Sequence, residues 1–148
     1  MMWYRIGMLR VVFDTSVLVA GLRSGRGASN ALLILVAEQK LTPLATTSLF
    51  LEYEEVLLRA EHRIVTGMSE ADVAGFLAAL ASASEGVEVH FQWRPQLGDP
   101  ADEMVLEAAI NGRADALVTH NVSDFVEAGM RFGLRIVTPG AFLKELKS

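Results

Sequence analysis

The short run Leu9-Arg10-Val11-Val12-Phe13, almost wholly apolar, ends directly on the carboxylate Asp14, and a helical pattern follows at once from Thr15 to Leu22. Apolar side chains at consecutive strand positions mean that both faces of the strand are buried. That is the signature of a parallel sheet covered by helices, rather than of a sheet with one wet face. The rest of the chain keeps the same alternation. A loop at Ser24-Gly25-Arg26-Gly27 precedes an apolar helix from Ala28 to Glu38, and Leu41 to Thr46 reads as a second strand with Pro43 near its start. Helices are expected over Thr47 to Arg59 and over Ser69 to Ala83, the latter opened by the capping pattern Ser69-Glu70-Ala71-Asp72. Val87 to Phe91 alternates and reads as the third strand, followed by a loop with Trp93 and Pro95. Asp99 caps a helix that begins at Pro100 and runs to about Ile110. Asp115 to Thr119 and Leu134 to Val137 are the fourth and fifth strands, and Pro139 to Leu146 is a closing helix. Alternating strands and helices make an α/β fold with a parallel sheet.

At 148 residues the chain fits one domain, with a core from about residue 9 to 142 and residues 1–8 as an N-terminal extension. Hydrophobic residues at 51% and charged residues at 21% exclude extended disorder. There is no cysteine, which removes disulfides, thiolate zinc sites and a cysteine nucleophile, and which fits a reducing cytoplasm. Arg5 and Arg10 precede the apolar stretch Val11 to Leu22, but Asp14 interrupts it and no small-residue cleavage site follows. A signal peptide is therefore the weaker reading, and no apolar segment is long enough for a membrane span. The net charge of −5 argues against a protein that coats nucleic acid non-specifically, though not against a nuclease whose acids hold a cation. The thirteen Lys and Arg residues are scattered. Phosphate contacts could come from Arg23 and Arg26, from Arg113 or from His120, although each is more simply a solvated surface group.

Four acids stand where such a fold would gather them, since ligands collect at the carboxyl ends of parallel strands. Asp14 ends the first strand, Glu52 lies in the helical pattern Ser48-Leu49-Phe50-Leu51-Glu52-Tyr53, Asp102 opens the helix after Asp99-Pro100, and Asp124 follows the strand Ala116 to Thr119. Clustered carboxylates repel one another unless a proton or a cation intervenes, and an all-oxygen site suits Mg²⁺ or Mn²⁺. Each acid also has a plainer reading. Asp14 could cap the helix at Thr15, and Asp102 gains from the helix dipole whatever else it does. Glu52 could be a rim residue, with Glu54 and Glu55 as rivals for any role. Glu103 lies about 100° around the helix from Asp102 and does not share a small site with it. Asn121 or Asp124 could cap the next helix, and three well-separated histidines do not make a metal site. The recurrence of four acids at strand ends and helix starts favours function.

The same residues carry a family resemblance over nearly the whole chain, from about Leu9 to Phe142. Val11-Val12-Phe13-Asp14-Thr15-Ser16-Val17-Leu18 resembles the first acidic motif of the PIN-domain (PilT N-terminus) family, and specifically of its VapC-like toxin ribonucleases. Glu52 in Leu51-Glu52-Tyr53-Glu54-Glu55-Val56-Leu57 is similar to the second motif, and Asp102 in Asp99-Pro100-Ala101-Asp102-Glu103-Met104, with Ala109 seven residues on, to the third. Val118-Thr119-His120-Asn121-Val122-Ser123-Asp124-Phe125 resembles the fourth. Many members place aspartate where Asn121 stands, whereas others pair asparagine with an aspartate three residues later, as here.

The resemblance implies a three-layer α/β/α sandwich on a five-stranded parallel sheet, with Mg²⁺ or Mn²⁺ at the acids. It implies RNA as substrate, a small antitoxin protein as partner, and a homodimer. Asp14, Asp102 and Asp124 would be the metal ligands, Asn121 contributing as an alternative to Asp124, and Glu52 would bind or deprotonate the attacking water. Phosphodiester hydrolysis would then proceed without a covalent intermediate. Two rivals are weaker. An aspartyl phosphatase needs a second acid two residues after the strand-end aspartate, where this chain has Ser16. A non-catalytic PIN-like module that binds RNA or scaffolds a complex has no need of the four acids.

Overall fold

The structure, a computed structural model, describes residues 9–92 and 96–147, so the expected extension at residues 1–8 and the Trp93 and Pro95 positions lie outside the described residues. Its strands are β1 (Arg10–Phe13), β2 (Thr42–Ala45), β3 (Glu85–Gly86), β4 (Ala116–Val118) and β5 (Ile136–Val137). All neighbours pair in parallel in the order β3-β2-β1-β4-β5, which puts β1 at the centre. Val11, Val12 and Phe13 are fully buried although their side chains alternate between faces. Both sides of the sheet are therefore covered, and the architecture is an α/β/α sandwich.

The helices are α1 (Thr15–Arg23), α2 (Ala28–Ala37), α3 (Thr47–Leu58), α4 (Ala60–Thr66), α5 (Glu70–Ala83), α6 (Pro100–Gly112), α7 (Val122–Phe132) and α8 (Pro139–Leu146). Local chemistry sets many of their ends. Thr46 accepts from the Leu49 amide, Ser69 and Asp72 form a reciprocal capping box, and Thr138 accepts from the Ala141 amide. The α1–α2 corner depends on Gly21. A Cβ there would lie 2.6 Å from Leu33 Cδ1 and 3.2 Å from the Ser29 carbonyl carbon, so only glycine lets the two helices approach this closely. Asn30 Nδ2 donates to the Gly21 carbonyl at 3.0 Å and locks the corner.

Two stretches differ from the sequence expectation. The third strand is Glu85–Gly86, not Val87 to Phe91. The Val87 amide still reaches the Ala45 carbonyl, but beyond it the chain leaves the sheet. The amides of His90 and Phe91 both donate to Asn111 Oδ1, and Asn111 Nδ2 donates to the Phe91 carbonyl. One amide side chain on α6 thus takes the hydrogen bonds that a sheet ladder would have supplied. The second difference is α4, which follows α3 after a single extended residue, Arg59, and ends on Gly67 in the left-handed region. Among the described residues no single helix is long and apolar enough to cross a membrane; one pair, α4 with α5, meets the length and composition test together but is bent by 84°.

Candidate active site

Strand β1 delivers Asp14 to the carboxyl edge of the sheet. Its amide continues the ladder by donating to the Val118 carbonyl at 2.9 Å, and its own carbonyl accepts from the Val17 amide as α1 begins. The backbone of Asp14 therefore occupies the helix cap, but its side chain makes no capping hydrogen bond. Two hydroxyls hold the carboxylate instead. Thr119 Oγ1 donates to Asp14 Oδ2 at 2.7 Å and Ser16 Oγ donates to the same oxygen at 3.0 Å. Both donors converge on Oδ2, so Oδ1 keeps its acceptor capacity. Asp14 is only 7% exposed, a costly position for a charge that has no ion-pair partner among the described residues.

Below it, Tyr53 donates to the Phe13 carbonyl at 2.5 Å. Complete burial, and then the nearby Asp14 charge, push this phenol well above its usual range, so it remains a neutral donor. It fixes α3 against the end of β1. Glu52, the preceding residue, is half-buried and faces the cleft, whereas Glu54 and Glu55 are exposed and do not line it. Glu55 instead lies 3.3 Å from Arg59 in an i,i+4 pair.

Helix α6 supplies the third acid. Asp99 Oδ1 caps the Ala101 amide at 2.9 Å and Pro100 takes the first helical position, which leaves Asp102 in the first turn. Burial first, and then the charges of Asp14, Asp99, Asp124 and Glu103, push the Asp102 carboxyl up to about 6. Glu103 lies elsewhere: it is buried, and its Oε1 accepts the amides of Gln96 and Leu97, which ties the preceding turn to α6.

These acids share one cleft of about 470 Å³. Asp14, Glu52, Asp99 and Asp102 line it together with Asn121. Asp124 does not line it; it is exposed in the first turn of α7, although its charge reaches Asp102. Asn121 sits at the cap of α7 with no side-chain capping bond, and its amide donates to Thr119 Oγ1 at 2.9 Å. Thr119 is thus a fully buried hinge-pin that bonds Asp14 with its hydroxyl hydrogen and Asn121 with its oxygen. Asp99, expected only as a cap, also lines the cleft, and Thr119 was not foreseen at all. It bears the same mark as Asp14, a polar residue directly after a buried apolar strand, and that signal would have found it.

The cleft offers oxygen donors of the kind that hard divalent cations prefer. None of Asp14, Glu52, Asp99 or Asp102 forms an ion pair among the described residues. Burial, and after it the charges of its acidic neighbours, is what raises the Asp102 carboxyl. The donor chemistry therefore fits Mg²⁺ or Mn²⁺, but the spacing is loose: among the described residues no three His, Cys, Asp or Glu side chains form a ready-made ligand group.

The profile of the PIN domain matches residues 10–123, a span that runs from β1 into the first turn of α7 and takes in Asp14, Glu52, Asp102 and Asn121. No curated protein matches the chain. Sheet order, the carboxyl-edge cleft and this match agree: the chain belongs to the PIN-domain family, whose fold is of the nuclease type.

Proposed function

We propose that this protein is a metal-dependent endoribonuclease that hydrolyses RNA phosphodiester bonds, and that it is the toxin component of a toxin–antitoxin pair. The observation that carries the catalytic reading is the buried Asp14, which has no ion-pair partner among the described residues and lines one cleft with Asp102, whose carboxyl is raised by burial and by the acids around it. Such a site is unfavourable in the bare protein and becomes favourable when it gathers a divalent ion.

Asp14 and Asp102 would hold Mg²⁺ or Mn²⁺, with Asp124 or Asn121 in support. When bound, the ion would supply charge neutralisation at the scissile phosphate and would make the attacking water more acidic, easing its deprotonation by a base. Glu52, on the cleft wall, is the base that orients the attacking water and takes its proton. Thr119 and Ser16 hold Asp14 Oδ2 so that the carboxylate does not turn toward the α1 amides. The small antitoxin partner and the homodimer rest on the likeness of the four motifs to VapC-like toxins, and the cysteine-free sequence fits action in a reducing cytoplasm.

A second reading, a PIN-like module that binds RNA or scaffolds a complex without cutting, draws on the absence of a ready-made three-ligand group among the described residues. A panel of single-stranded and structured RNAs incubated with pure protein separates the two. The nuclease reading expects cleavage with Mg²⁺ or Mn²⁺, none with EDTA, loss in Asp14→Asn, and retention in the control Glu55→Gln. Full activity of Asp14→Asn, EDTA-resistant cleavage, or RNA binding without any cleavage would overturn it.

A further inference from the structure

A cleft lined by four carboxylates repels the polyanion it is proposed to cut, so some part of its wall must attract phosphate. Of the four phosphate-contact candidates in the sequence, the structure places Arg23 and His120 on the cleft and leaves Arg26 and Arg113 off it. Arg113 ends α6 in a left-handed conformation at the other end of the sheet, where its carbonyl accepts from Arg10. Arg23, in the last turn of α1, forms no ion pair with any described carboxylate. A cation there is favoured by the helix dipole, but that role leaves its guanidinium free to bind an anion. His62, the remaining basic group of the lining, lies 3.9 Å from Glu61.

His120 is exposed, as a loop histidine usually is, yet its ring is anchored. Its Nε2 is hydrogen-bonded to Ser29 Oγ at 3.0 Å, across ninety-one residues of sequence. Ser29 is only 4% exposed and is set by the tight α1–α2 corner, where Gly21 admits its backbone. On the other side Thr119 donates its amide to the Val137 carbonyl and accepts the Asn121 amide, so residues 119 to 121 are pinned on both flanks of the ring. A surface histidine with no task gains little from a buried hydroxyl dedicated to its orientation.

We infer that Arg23 and His120 form the phosphate-holding part of the cleft lining, and that Ser29 is the positioning residue that fixes the His120 ring. The inference rests on the nuclease reading and names how that site grips its substrate. The ring bond to Ser29 uses one imidazole nitrogen and leaves the other for an RNA phosphate oxygen, while Arg23 adds a charge-assisted contact to a neighbouring phosphate.

The test is steady-state cleavage of a fluorescent single-stranded oligoribonucleotide with Mn²⁺, by wild type, His120→Gln, Ser29→Ala, the double variant and Arg23→Gln. KM is expected to rise roughly three- to tenfold in His120→Gln and Ser29→Ala, with kcat within about twofold. The double variant should be no worse than either single one, because both remove the same contact. Arg23→Gln should make the salt dependence of binding shallower by about 0.7 in the log–log slope, as for one lost phosphate contact on a single strand. Mn²⁺-induced thermal stabilisation should be unchanged in all of them, since none touches the acids. If Ser29→Ala fails to fold, the exposed His120→Gln decides the matter on its own. Cleavage by wild type with unaltered KM in His120→Gln, or additive losses in the double variant, would overturn this inference alone. Absence of RNA binding and cleavage by wild type would overturn it together with the nuclease reading.

Discussion

Arg10 and Asp14, at the two ends of β1, lie only about 13 Å apart, yet these ends treat charge in opposite ways. At the amino end Arg10 is matched. Its guanidinium pairs with Glu85 on β3, with Nε donating to Oε1 at 3.2 Å, and its backbone amide donates to Asp115 Oδ2 at 2.8 Å. The hydrogen bond from Arg10 holds the Glu85 carboxyl below its usual range. At the carboxyl end Asp14 has hydroxyl donors but, among the described residues, no ion-pair partner, and its neighbour Asp102 is pushed in the other direction, up to about 6. Pairing at one end closes the sheet. Its absence at the other, where burial makes it costlier, marks the end that is built to receive something positive.

Breaking the unmatched end should have the largest effect. Asp14→Asn and Asp102→Asn should each lower metal-dependent RNA cleavage by more than the roughly hundredfold typical when a hydrogen-bond partner of a metal ligand is lost. Because both acids serve one unit, the double variant should be little worse than either. Asp14→Asn should also raise the melting temperature of the metal-free protein, since it removes a member of a mutually repelling group. Thermal unfolding in EDTA checks this, and a lower melting temperature would deny the repulsion.

Thr119→Val comes next. It keeps the shape of a fully buried side chain while removing the donor to Asp14 Oδ2 and the acceptor for the Asn121 amide. Activity should fall about 10- to 100-fold and stability by about 1–3 kcal/mol, the cost of a buried polar group left unmatched. Kinetics and denaturant unfolding of the same preparation measure both. Wild-type activity in this variant would mean that Asp14 needs no anchoring.

The pH dependences of the two ends should have opposite signs. Between pH 3.8 and about 6 the folded chain keeps a proton on Asp102 that the unfolded chain has released. Metal-free stability therefore falls as pH rises through that window, and Asp102→Asn should flatten the slope. Glu85, with its lowered folded value, contributes stability above its unfolded value of 4.5 that is lost as pH falls. The smallest effect belongs here. The Arg10–Glu85 pair is solvent-accessible, so Arg10→Gln should cost no more than about 1 kcal/mol and less at high salt. A larger loss would mean that the matched end also carries the fold.

Much of this was legible in the chain. The apolar run ending at Asp14 located the central strand, because burial on both faces leaves no polar position to confuse the pattern. The capping chemistry of Ser69-Asp72 and Asp99-Pro100 located α5 and α6 for the same local reason. β3 was misplaced because two residues of pairing carry no periodicity, and the alternation of Val87 to Phe91 reflects tethering by Asn111 rather than a ladder. Within the site, helical periodicity could not separate Glu52 from Glu54 and Glu55, whereas the packing of Tyr53 beneath Asp14 does. The bond from Ser29 to His120 spans ninety-one residues and two unrelated elements, and no local pattern records it.

The central claim is that the acids at the carboxyl end of β1 gather a divalent cation. Titration of Mn²⁺ into the metal-free protein at pH 7, followed by calorimetry, tests it most directly. The account predicts saturable binding by wild type and by Glu55→Gln, weakened strongly in Asp14→Asn and in Asp102→Asn. No saturable binding by wild type, or binding by Asp14→Asn as tight as wild type, would contradict it.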